Sequence, residues 1–346
     1  MRSRSAVALV AGLALVAGCG SGVRRENTPS APSAGAPGSA NVLEQQFEQV
    51  VKTVLPSVVQ INTDSGLGSG VVYDDKGDIV TNDHVVAGAH RLEVTTPSSK
   101  SPLPAKLVGE FAANDLAVIR VRHTPLTPAT FGDSGRLAMG QIVMAMGNPL
   151  GLSGSVTNGI ISALGRTVTS QREGSFPGAT IAGAVQTSAP INPGNSGGAL
   201  VTLGNQVVGI PTLTVSDPQI GGAAAGIGFA IPSNTVKLIA DQLIASGRVK
   251  QSGRAAIGVK VRTVVDLRGN VTGVGVVSVT RGGSADKAGI KADDVILSVN
   301  GARTSSTTAL AEALAALKPG RRVKVEIQHP DGAKETVTVT LGQLPG

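Results

Sequence analysis

The sequence of 346 residues contains a single cysteine, Cys19, no tryptophan and only one tyrosine. One cysteine excludes an intramolecular disulfide and a cysteine-based zinc site, and its N-terminal position leaves no cysteine nucleophile for the folded part. Aromatic residues make up only 2% of the chain, so the core must be built from Val, Ile, Leu and Ala. This composition, rich in glycine and β-branched residues, favours β structure.

Metal-ligand spacing and clustered basic charge are also missing. The histidines show no His-Glu-x-x-His or comparable spacing, which predicts that no metal is bound. The net charge of +7 is spread along the chain and lacks the basic clusters and interleaved aromatic residues of nucleic-acid-binding proteins. We therefore expect no nucleic-acid partner. The modest excess of charge fits a solvated surface or a mild preference for anionic envelope surfaces.

The N-terminus has the features of an export signal. Residues 1–18 carry Arg2 and Arg4, followed by an apolar run too short to span a bilayer and by small residues. The string Val-Ala-Gly-Cys at 16–19 resembles the bacterial lipoprotein signal, in which the cysteine is lipidated and becomes the mature N-terminus. An ordinary signal peptide or a weak membrane anchor is the alternative. Residues 19–40, with three prolines among Ser, Gly and Ala, are predicted to form a flexible linker.

Residues 41–247 are predicted to form one domain that is rich in strands. Apolar residues at helical spacing in Asn41 to Leu55 predict a short amphipathic helix that ends before Pro56. Strand and turn signals then alternate from 58 to 82 at the spacing of a small antiparallel barrel. Three aspartates near the central turn are interpreted as solvated loop residues: Asp74, Asp75 and Asp78.

The stretch 186–200 contains the candidate nucleophile, Ser196. Small neighbours leave its hydroxyl open to a substrate, and Gly194 and Gly197 permit a turn that aims the Gly194 and Ser196 amides at one oxyanion. The string also fits a plain surface turn, or the nucleophile elbow of α/β-hydrolases, which requires a following helix. Two apolar strands around a Gly-Asn hairpin follow instead, which favours a β-barrel serine protease.

Two further strings supply the partners that a serine nucleophile needs. The string Thr81-Asn82-Asp83-His84-Val85-Val86 puts an imidazole at a strand end beside a short helical turn. A lone histidine is more often structural or simply exposed. Asp115 precedes a mostly apolar strand, so its carboxylate would be buried and would need a donor, for which His84 Nδ1–H is the natural choice. The order His84, Asp115, Ser196 is that of chymotrypsin-like enzymes.

With these strings the chain resembles the HtrA (Deg) family of serine proteases, from about residue 42 to its end. Other matching strings lie at 146–149, 156–162, 186–187 and 226–232. The resemblance implies a mostly β fold, with a chymotrypsin-like double β-barrel followed by a PDZ domain. It also implies that His84, Asp115 and Ser196 form a catalytic triad, that Gly194 and Ser196 form the oxyanion hole, and that no cofactor is needed.

The chain departs from the family pattern at two positions. Ser188 stands where the family usually has an aspartate, which removes a carboxylate near the activation region. Pro211 stands where an asparagine is usual, which removes a strand N–H close to the expected substrate. Neither position belongs to the triad, so regulation and specificity are the properties these departures affect. The resemblance also implies a trimer held together by aromatic residues near the start of the protease domain. Phe47 is the candidate contact, and packing of its helix within one subunit is an equal alternative.

A closing helix and a polar hinge are predicted to end the protease domain. The helix runs from Ser233, its expected N-cap, to Gly247, its expected stop, and the hinge covers 248–254. Asp133 is expected to cap a turn between the barrels.

Residues 255–346 resemble a PDZ domain of the HtrA type. Ile257, Gly258 and Val259 have the apolar-Gly-apolar form of a loop whose amides hold a peptide C-terminal carboxylate. A helix over 304–317 follows, with leucines along one stripe. In a PDZ fold an extended peptide adds a strand beside this helix, so Leu310 is expected to line the groove. Plain core packing is the alternative for this stripe.

These observations predict a serine endopeptidase of the cell envelope that acts on misfolded or exposed polypeptides. Lipidated Cys19 would anchor it to the outer face of the cytoplasmic membrane, or the protein would be periplasmic. Its partners would be unfolded polypeptides, peptide C-termini and two further copies in a homotrimer. The alternative is a peptide-binding chaperone or scaffold with a resting or inactive protease site. A lipase or esterase is disfavoured because no helix is predicted after Ser196.

Overall fold

The computed structural model describes residues 39–345, apart from 65, 123, 149–153, 171–173, 193, 218–221 and 266–270. The predicted signal peptide, Cys19 and the linker up to residue 38 lie outside the described residues. Within this described part, each helix is too short or too polar to cross a membrane.

The predicted N-terminal helix is present as α1 (Ser39–Val54), which begins two residues earlier than expected. Val50 and Val54 are buried in the largest core cluster, and Phe47 packs against that cluster. A short 3₁₀ turn at Leu55–Ser57 follows. Pro56 lies in this turn, where it ends the α-helix because proline cannot supply the next backbone donor.

Six antiparallel strands close the first barrel in the spatial order β1-β2-β3-β6-β5-β4. Its interior is filled mainly by small β-branched side chains such as Val59, Ile61 and Ile119, which pack well in a strand. A helical turn, α2 (Asp83–Val86), follows the third strand. The strands are β1 (Val58–Thr63), β2 (Leu67–Val72), β3 (Asp78–Thr81), β4 (Leu92–Thr96), β5 (Ser99–Phe111) and β6 (Leu116–Val121).

The second barrel has the order β10-β11-β12-β9-β8-β7. Its strands are β7 (Ile142–Gly147), β8 (Ser155–Thr169), β9 (Thr180–Thr187), β10 (Ala199–Thr202), β11 (Val207–Asp217) and β12 (Gly222–Pro232). Strands β10 and β11 form the predicted hairpin, and Asn205 adopts a positive φ of 60° in its turn. The two barrels confirm the predicted chymotrypsin-like architecture.

The closing helix, α3 (Ser233–Ser246), differs from the prediction at its start. Ser233 is the first helical residue and not the N-cap, which is Pro232. The fully buried Ser233 hydroxyl instead donates to Gly132 O at 2.9 Å and accepts from Ser134 N at 3.2 Å. Packing against the neighbouring segment therefore decides the role of this hydroxyl. The predicted stop is present, with Gly247 at φ 68°.

The interpretation of Asp78 as a solvated loop residue was wrong. Asp78 is the first residue of β3, is fully buried, and lies opposite Arg120 of β6 in the strand register. Arg120 binds both carboxylate oxygens, with Nε to Oδ1 at 2.6 Å and Nη2 to Oδ2 at 2.7 Å. Asp74 does remain in the turn, where it accepts the Lys76 and Asp78 amides. Asp133 caps a short turn by accepting from Gly135 N, as predicted.

The PDZ module contains a sheet in the order β14-β15-β16-β18-β19, with β17 paired to β16. Its core is aliphatic and includes Val274, Ile296 and Val325. A two-stranded ribbon, β13 with β20, joins the first and last residues of the module. The elements are β13 (Ala255–Ala256), β14 (Val259–Val265), β15 (Val271–Val279), α4 (Ser284–Lys287), β16 (Val295–Val299), β17 (Ala302–Arg303), α5 (Thr307–Ala315), β18 (Arg322–Gln328), β19 (Lys334–Thr340) and β20 (Gly342–Gln343).

Candidate active site

The side chains of Asp115 and His84 are hydrogen-bonded to each other in the first barrel. Asp115 follows a 3₁₀ turn, has a left-handed φ of 53° and carries a fully buried carboxylate. His84 Nδ1 lies 2.9 Å from Asp115 Oδ1 and 2.8 Å from Oδ2, and the His84 backbone N–H donates to Oδ1 at 3.0 Å. The hydrogen bond expected from the sequence is therefore present. It fixes the imidazole with Nδ1 facing the carboxylate, which leaves Nε2 on the other edge of the ring.

Two further contacts support this pair. The Phe176 ring lies edge-on to the His84 ring, with 5.8 Å between the ring centroids. Asn82, fully buried at the end of β3, donates from Nδ2 to the Asp115 backbone carbonyl at 2.9 Å. Both contacts limit the orientations that the imidazole and the aspartate can take. The His84 side chain is still 24% exposed, so a reactant can reach it.

Ser196 is connected to the same carboxylate through Thr212 on β11. The Ser196 hydroxyl donates to the Thr212 backbone carbonyl at 3.3 Å. The Thr212 hydroxyl in turn donates to Asp115 Oδ2. Asp115 thus accepts from both His84 and Thr212, so both oxygens of this buried carboxylate have hydrogen-bond partners. The second barrel contributes Ser196 and Thr212, whereas the first contributes His84 and Asp115.

The loop that carries Ser196 depends on its glycines. Gly194 has φ 104° and Gly197 has φ 79°, a region that only glycine enters at low cost. A Cβ on Gly197 would clash with the Ser69 carbonyl oxygen and the Thr81 hydroxyl. Among the described residues, the Gly194 and Ser196 amides have no backbone acceptor. Both amides can therefore donate to a ligand oxygen, as the predicted oxyanion hole requires.

Asp83, the neighbour of His84, is a buried carboxylate that the sequence did not identify as unusual. It is only 1% exposed, and its Oδ1 has no hydrogen-bond partner among the described atoms. Burial raises the pKa of Asp83 to about 7, and the negative charges of Glu110 and Asp115 add to this rise, while His84 opposes it. Asp83 is therefore expected to change its ionisation near neutral pH.

This raised pKa predicts that Asp83 lowers stability as the pH rises. The folded pKa lies above the unfolded one, so the folded state binds more protons between about pH 4 and 7 and loses stability through that window. Replacing Asp83 with asparagine removes the titration. The free energy of unfolding of the variant, compared with wild type, should gain about 2 kcal/mol between pH 5 and pH 8. Urea denaturation followed by circular dichroism at both pH values measures this difference. Asp75→Asn, an exposed turn position, should show no such pH-dependent gain.

Arg254, just before the PDZ strands, reaches the turn that precedes Asp115. Its Nη1 donates to the Ala113 carbonyl and lies 3.3 Å from Asn114 Oδ1. Burial lowers the pKa of Arg254 to about 10, and its Nε has no partner among the described atoms. The predicted polar hinge is therefore connected to the candidate site by a half-buried arginine.

The residues predicted for PDZ recognition lie where β14 begins. Gly258 has φ 77°, and its carbonyl accepts from Thr280 N at 2.9 Å. Ile257 is buried, Val259 is half-buried, and β14 is an edge strand of its sheet. Leu310 is 4% exposed and belongs to the PDZ core cluster, as the packing alternative for this helix stripe requires. Its place in the groove stays a prediction.

Comparisons with known proteins place these two modules in one family. The trypsin-like peptidase domain family matches residues 68–210, and the PDZ domain family matches 255–341. Serine protease PepD of Mycobacterium tuberculosis is 38% identical over 340 residues, which cover 91% of this chain and 72% of that protein. The chain belongs to the HtrA family of serine proteases. Serine protease Do-like HtrA of Bacillus subtilis is 37% identical over 82% of this chain and 65% of its own length.

Solved structures agree with this assignment. The serine endoprotease from Yersinia pestis is 34% identical, with a TM-score of 0.57 over 86% of this chain and 98% of that one. The HtrA-type protease AlgW with decapeptide is 29% identical, with a TM-score of 0.57 over 87% of this chain and 99% of that one. This HtrA family protein is thus a serine endopeptidase with a PDZ domain, and the chaperone alternative is not favoured.

Some residues around the site were missed by sequence reasoning. Thr212 lies in the Gly-Ile-Pro-Thr string, but nothing in that string shows that its hydroxyl faces Asp115. Phe176 and Ser69 carry no motif at all. Pairs such as Thr212 and Asp115, 97 residues apart, become neighbours only when the two barrels pack together.

Proposed function

We propose that this HtrA family protease hydrolyses misfolded or exposed polypeptides with His84, Asp115 and Ser196 as its catalytic triad. The observation that carries the proposal is the buried Asp115 carboxylate, which binds His84 Nδ1 and, through Thr212, connects to Ser196. For the reaction, the Ser196 hydroxyl turns from the Thr212 carbonyl to His84 Nε2, which takes its proton as the oxygen attacks the scissile carbonyl. The Asp115 carboxylate, hydrogen-bonded to Nδ1, stabilises the imidazolium that forms.

The oxyanion of the tetrahedral intermediate is proposed to bind the Gly194 and Ser196 amides. Collapse of the intermediate requires a proton on the leaving amine, and protonated His84 supplies it. An acyl group stays on Ser196 until water, activated by the same imidazole, releases it. No cofactor takes part in these steps.

Fluorophosphonate labelling tests this proposal on the wild-type protein. We expect the purified protein to degrade unfolded casein, and a fluorophosphonate probe to stop this cleavage. Mass spectrometry of the labelled protein should find the modified tryptic peptide that contains Ser196. Labelling of a different serine, or casein cleavage that persists in fully labelled protein, would contradict the assignment.

The PDZ domain is proposed to recognise peptide C-termini. Strand β14 lies at one edge of its sheet, where an extended peptide can add as a further strand, and Gly258, with φ 77°, directly precedes it. Ile257 and Val259 flank these amides, and Leu310 supports the groove from α5. AlgW, a protein of similar structure, was solved with a decapeptide.

Substrate specificity is proposed to favour small aliphatic side chains at P1. The segments expected to wall the S1 pocket, 190–192, 210–213 and 227–229, contain no Asp or Glu. Ile191 is buried against Gly228, so aliphatic surface occupies this region. A buried Lys or Arg without a partner costs several kcal/mol, whereas methylene differences are worth only about 1–3 kcal/mol.

Mapping the cleavage sites in casein by mass spectrometry measures this preference. We expect most cuts to follow Val, Ala, Ile or Leu, with little discrimination among them. A majority of cuts after Lys or Arg would show that the S1 walls lie elsewhere.

The protein is proposed to be exported and held at the cell envelope by lipid on Cys19. Periplasmic relatives such as DegQ of Escherichia coli, 36% identical, support an envelope location. The multiple acyl chains of a bacterial lipoprotein should hold firmly, whereas a single chain binds a membrane only weakly. Wild type should sediment with membranes, and Cys19→Ser should shift the protein to a soluble or unprocessed form. Wild type found wholly in the soluble envelope fraction would refute the anchor.

A homotrimer is also proposed, on the basis of the family resemblance. Phe47 packs against the core of its own chain and is half-buried. Its remaining surface is the candidate contact with a neighbouring subunit. Leu43, one turn earlier in α1, is 39% exposed.

A further inference from the structure

Ser69 on β2 touches the loop that carries the nucleophile from behind. Its side chain is fully buried. The hydroxyl donates to the Gly194 carbonyl oxygen at 2.5 Å and accepts from the Asn148 backbone N–H at 2.8 Å. One hydroxyl of the first barrel therefore binds two segments of the second barrel, 125 and 79 residues further along the chain.

The backbone of Ser69 adds a second connection to the same loop. Its N–H donates to the Ser196 carbonyl oxygen at 3.0 Å, and its carbonyl accepts from the Thr81 hydroxyl at 2.7 Å. Ser69 thus holds the carbonyls of Gly194 and Ser196, the two residues whose amides are the proposed oxyanion donors. Because a peptide unit is planar, the fixed Gly194 carbonyl orients the 194–195 peptide plane and the fixed Ser196 carbonyl orients the 196–197 plane. The Ser196 amide belongs to the 195–196 unit between these two planes, and the Gly194 amide is attached to the residue at which the first plane begins.

Strand β7 packs against the other side of the loop that carries Ser196. A Cβ on Gly147 would lie 2.5 Å from the Gly194 carbonyl oxygen and 2.7 Å from Asn195 Cα. The loop therefore has no room to move towards β7. Gly194 itself has φ 104°, a conformation that glycine leaves easily because it has no side chain to restrict it. The Ser69 hydroxyl is the polar contact that opposes such a rotation at the Gly194 carbonyl.

We propose that Ser69 is a positioning residue for the oxyanion site, since it holds the two peptide planes on either side of the Ser196 amide, the first of which begins at Gly194, and so limits the orientations of the Gly194 and Ser196 amides. The inference rests on the proposed function, in which these amides bind the oxyanion. Donors aimed at developing charge act in the transition state more than in the ground state. Loss of the Ser69 hydroxyl should therefore lower kcat and leave KM nearly unchanged.

Ser233 provides a matched control for this test. Its hydroxyl is also fully buried, donates to a backbone carbonyl (Gly132) and accepts from a backbone N–H (Ser134). These contacts lie outside the nucleophile loop. Ser69→Ala and Ser233→Ala therefore remove the same group from equivalent surroundings, so a general loss of stability should affect both variants alike.

The experiment measures kcat and KM of both variants on a fluorogenic peptide, together with the affinity of a peptide aldehyde. The aldehyde forms a hemiacetal with the serine and places its oxygen in the oxyanion site. For Ser69→Ala we expect kcat to fall tenfold or more, KM to stay within threefold, and aldehyde affinity to fall in proportion to kcat. Ser233→Ala should keep kcat and aldehyde affinity within twofold of wild type.

A kcat for Ser69→Ala within twofold of the Ser233→Ala value would overturn the inference, as would a loss that appears in KM alone. Circular dichroism melting checks that both variants fold. If Ser69→Ala does not fold, kcat is measured for Ser69→Cys, whose thiol has a similar shape but is a weaker hydrogen-bond donor. We expect kcat to fall in that variant as well, and an unchanged kcat would overturn the inference. Failure of the proposed function is distinguished by Ser196→Ala, which would then keep its activity.

Discussion

Replacement of Ser196 by alanine is expected to abolish casein cleavage and fluorophosphonate labelling. Without the hydroxyl there is no nucleophile, and His84 has no proton to accept. Loss of a nucleophilic serine in enzymes of this type lowers kcat by a factor on the order of 10⁴–10⁶. The side chain is half-buried in a turn and has one hydrogen bond, to Thr212 O, so the fold should be retained.

The measurement compares casein turnover and probe incorporation in wild type, Ser196→Ala and Ser233→Ala at equal concentration. Circular dichroism melting of each protein serves as the folding control. Ser233→Ala should retain both activities. Cleavage that persists in a pure Ser196→Ala preparation, at more than about a hundredth of the wild-type rate, would exclude Ser196 as the nucleophile.

Replacement of Arg120 by methionine should cause a large loss in the free energy of unfolding. Asp78 is fully buried in the first barrel, and Arg120 is its bidentate partner. Methionine keeps much of the apolar volume of the arginine stem but leaves a buried charge without a partner. Breaking such a pair costs about 3 kcal/mol. Urea denaturation followed by circular dichroism at pH 7 measures the loss.

The pair Arg91 and Glu93 supplies the control for this prediction. The Arg91 side chain is 74% exposed, so its ion pair lies largely in water. Arg91→Met should change the free energy of unfolding by less than about 1 kcal/mol. The double variant Asp78→Leu with Arg120→Met removes both charges and should be more stable than Arg120→Met alone. Equal effects of Arg120→Met and Arg91→Met would mean that the Asp78 pair is not stabilising.

The sequence by itself determined the elements whose signals are local. The spacing of apolar residues gave α1, the Gly-Asn pair gave the turn between β10 and β11, and Gly247 marked the end of α3. The strings around His84, Asp115 and Ser196 identified the candidate site because each contains a chemical group beside the small or apolar neighbours that define its backbone setting. These features depend on residues within a few positions of one another, which is the range over which backbone preferences act.

Only the tertiary structure decided the features that depend on distant partners. The local sequence around Asp78 predicts a turn residue, but strand pairing places Asp78 opposite Arg120. The local sequence around Ser233 predicts an N-cap, but its hydroxyl donates to the Gly132 carbonyl. Thr212 and Ser69 carry no signal in their own strings, because their partners lie 97 and 125 residues away. The physical reason is that a buried polar group takes whichever partner the packing brings within hydrogen-bond distance, and barrel closure sets that partner, not the neighbouring sequence.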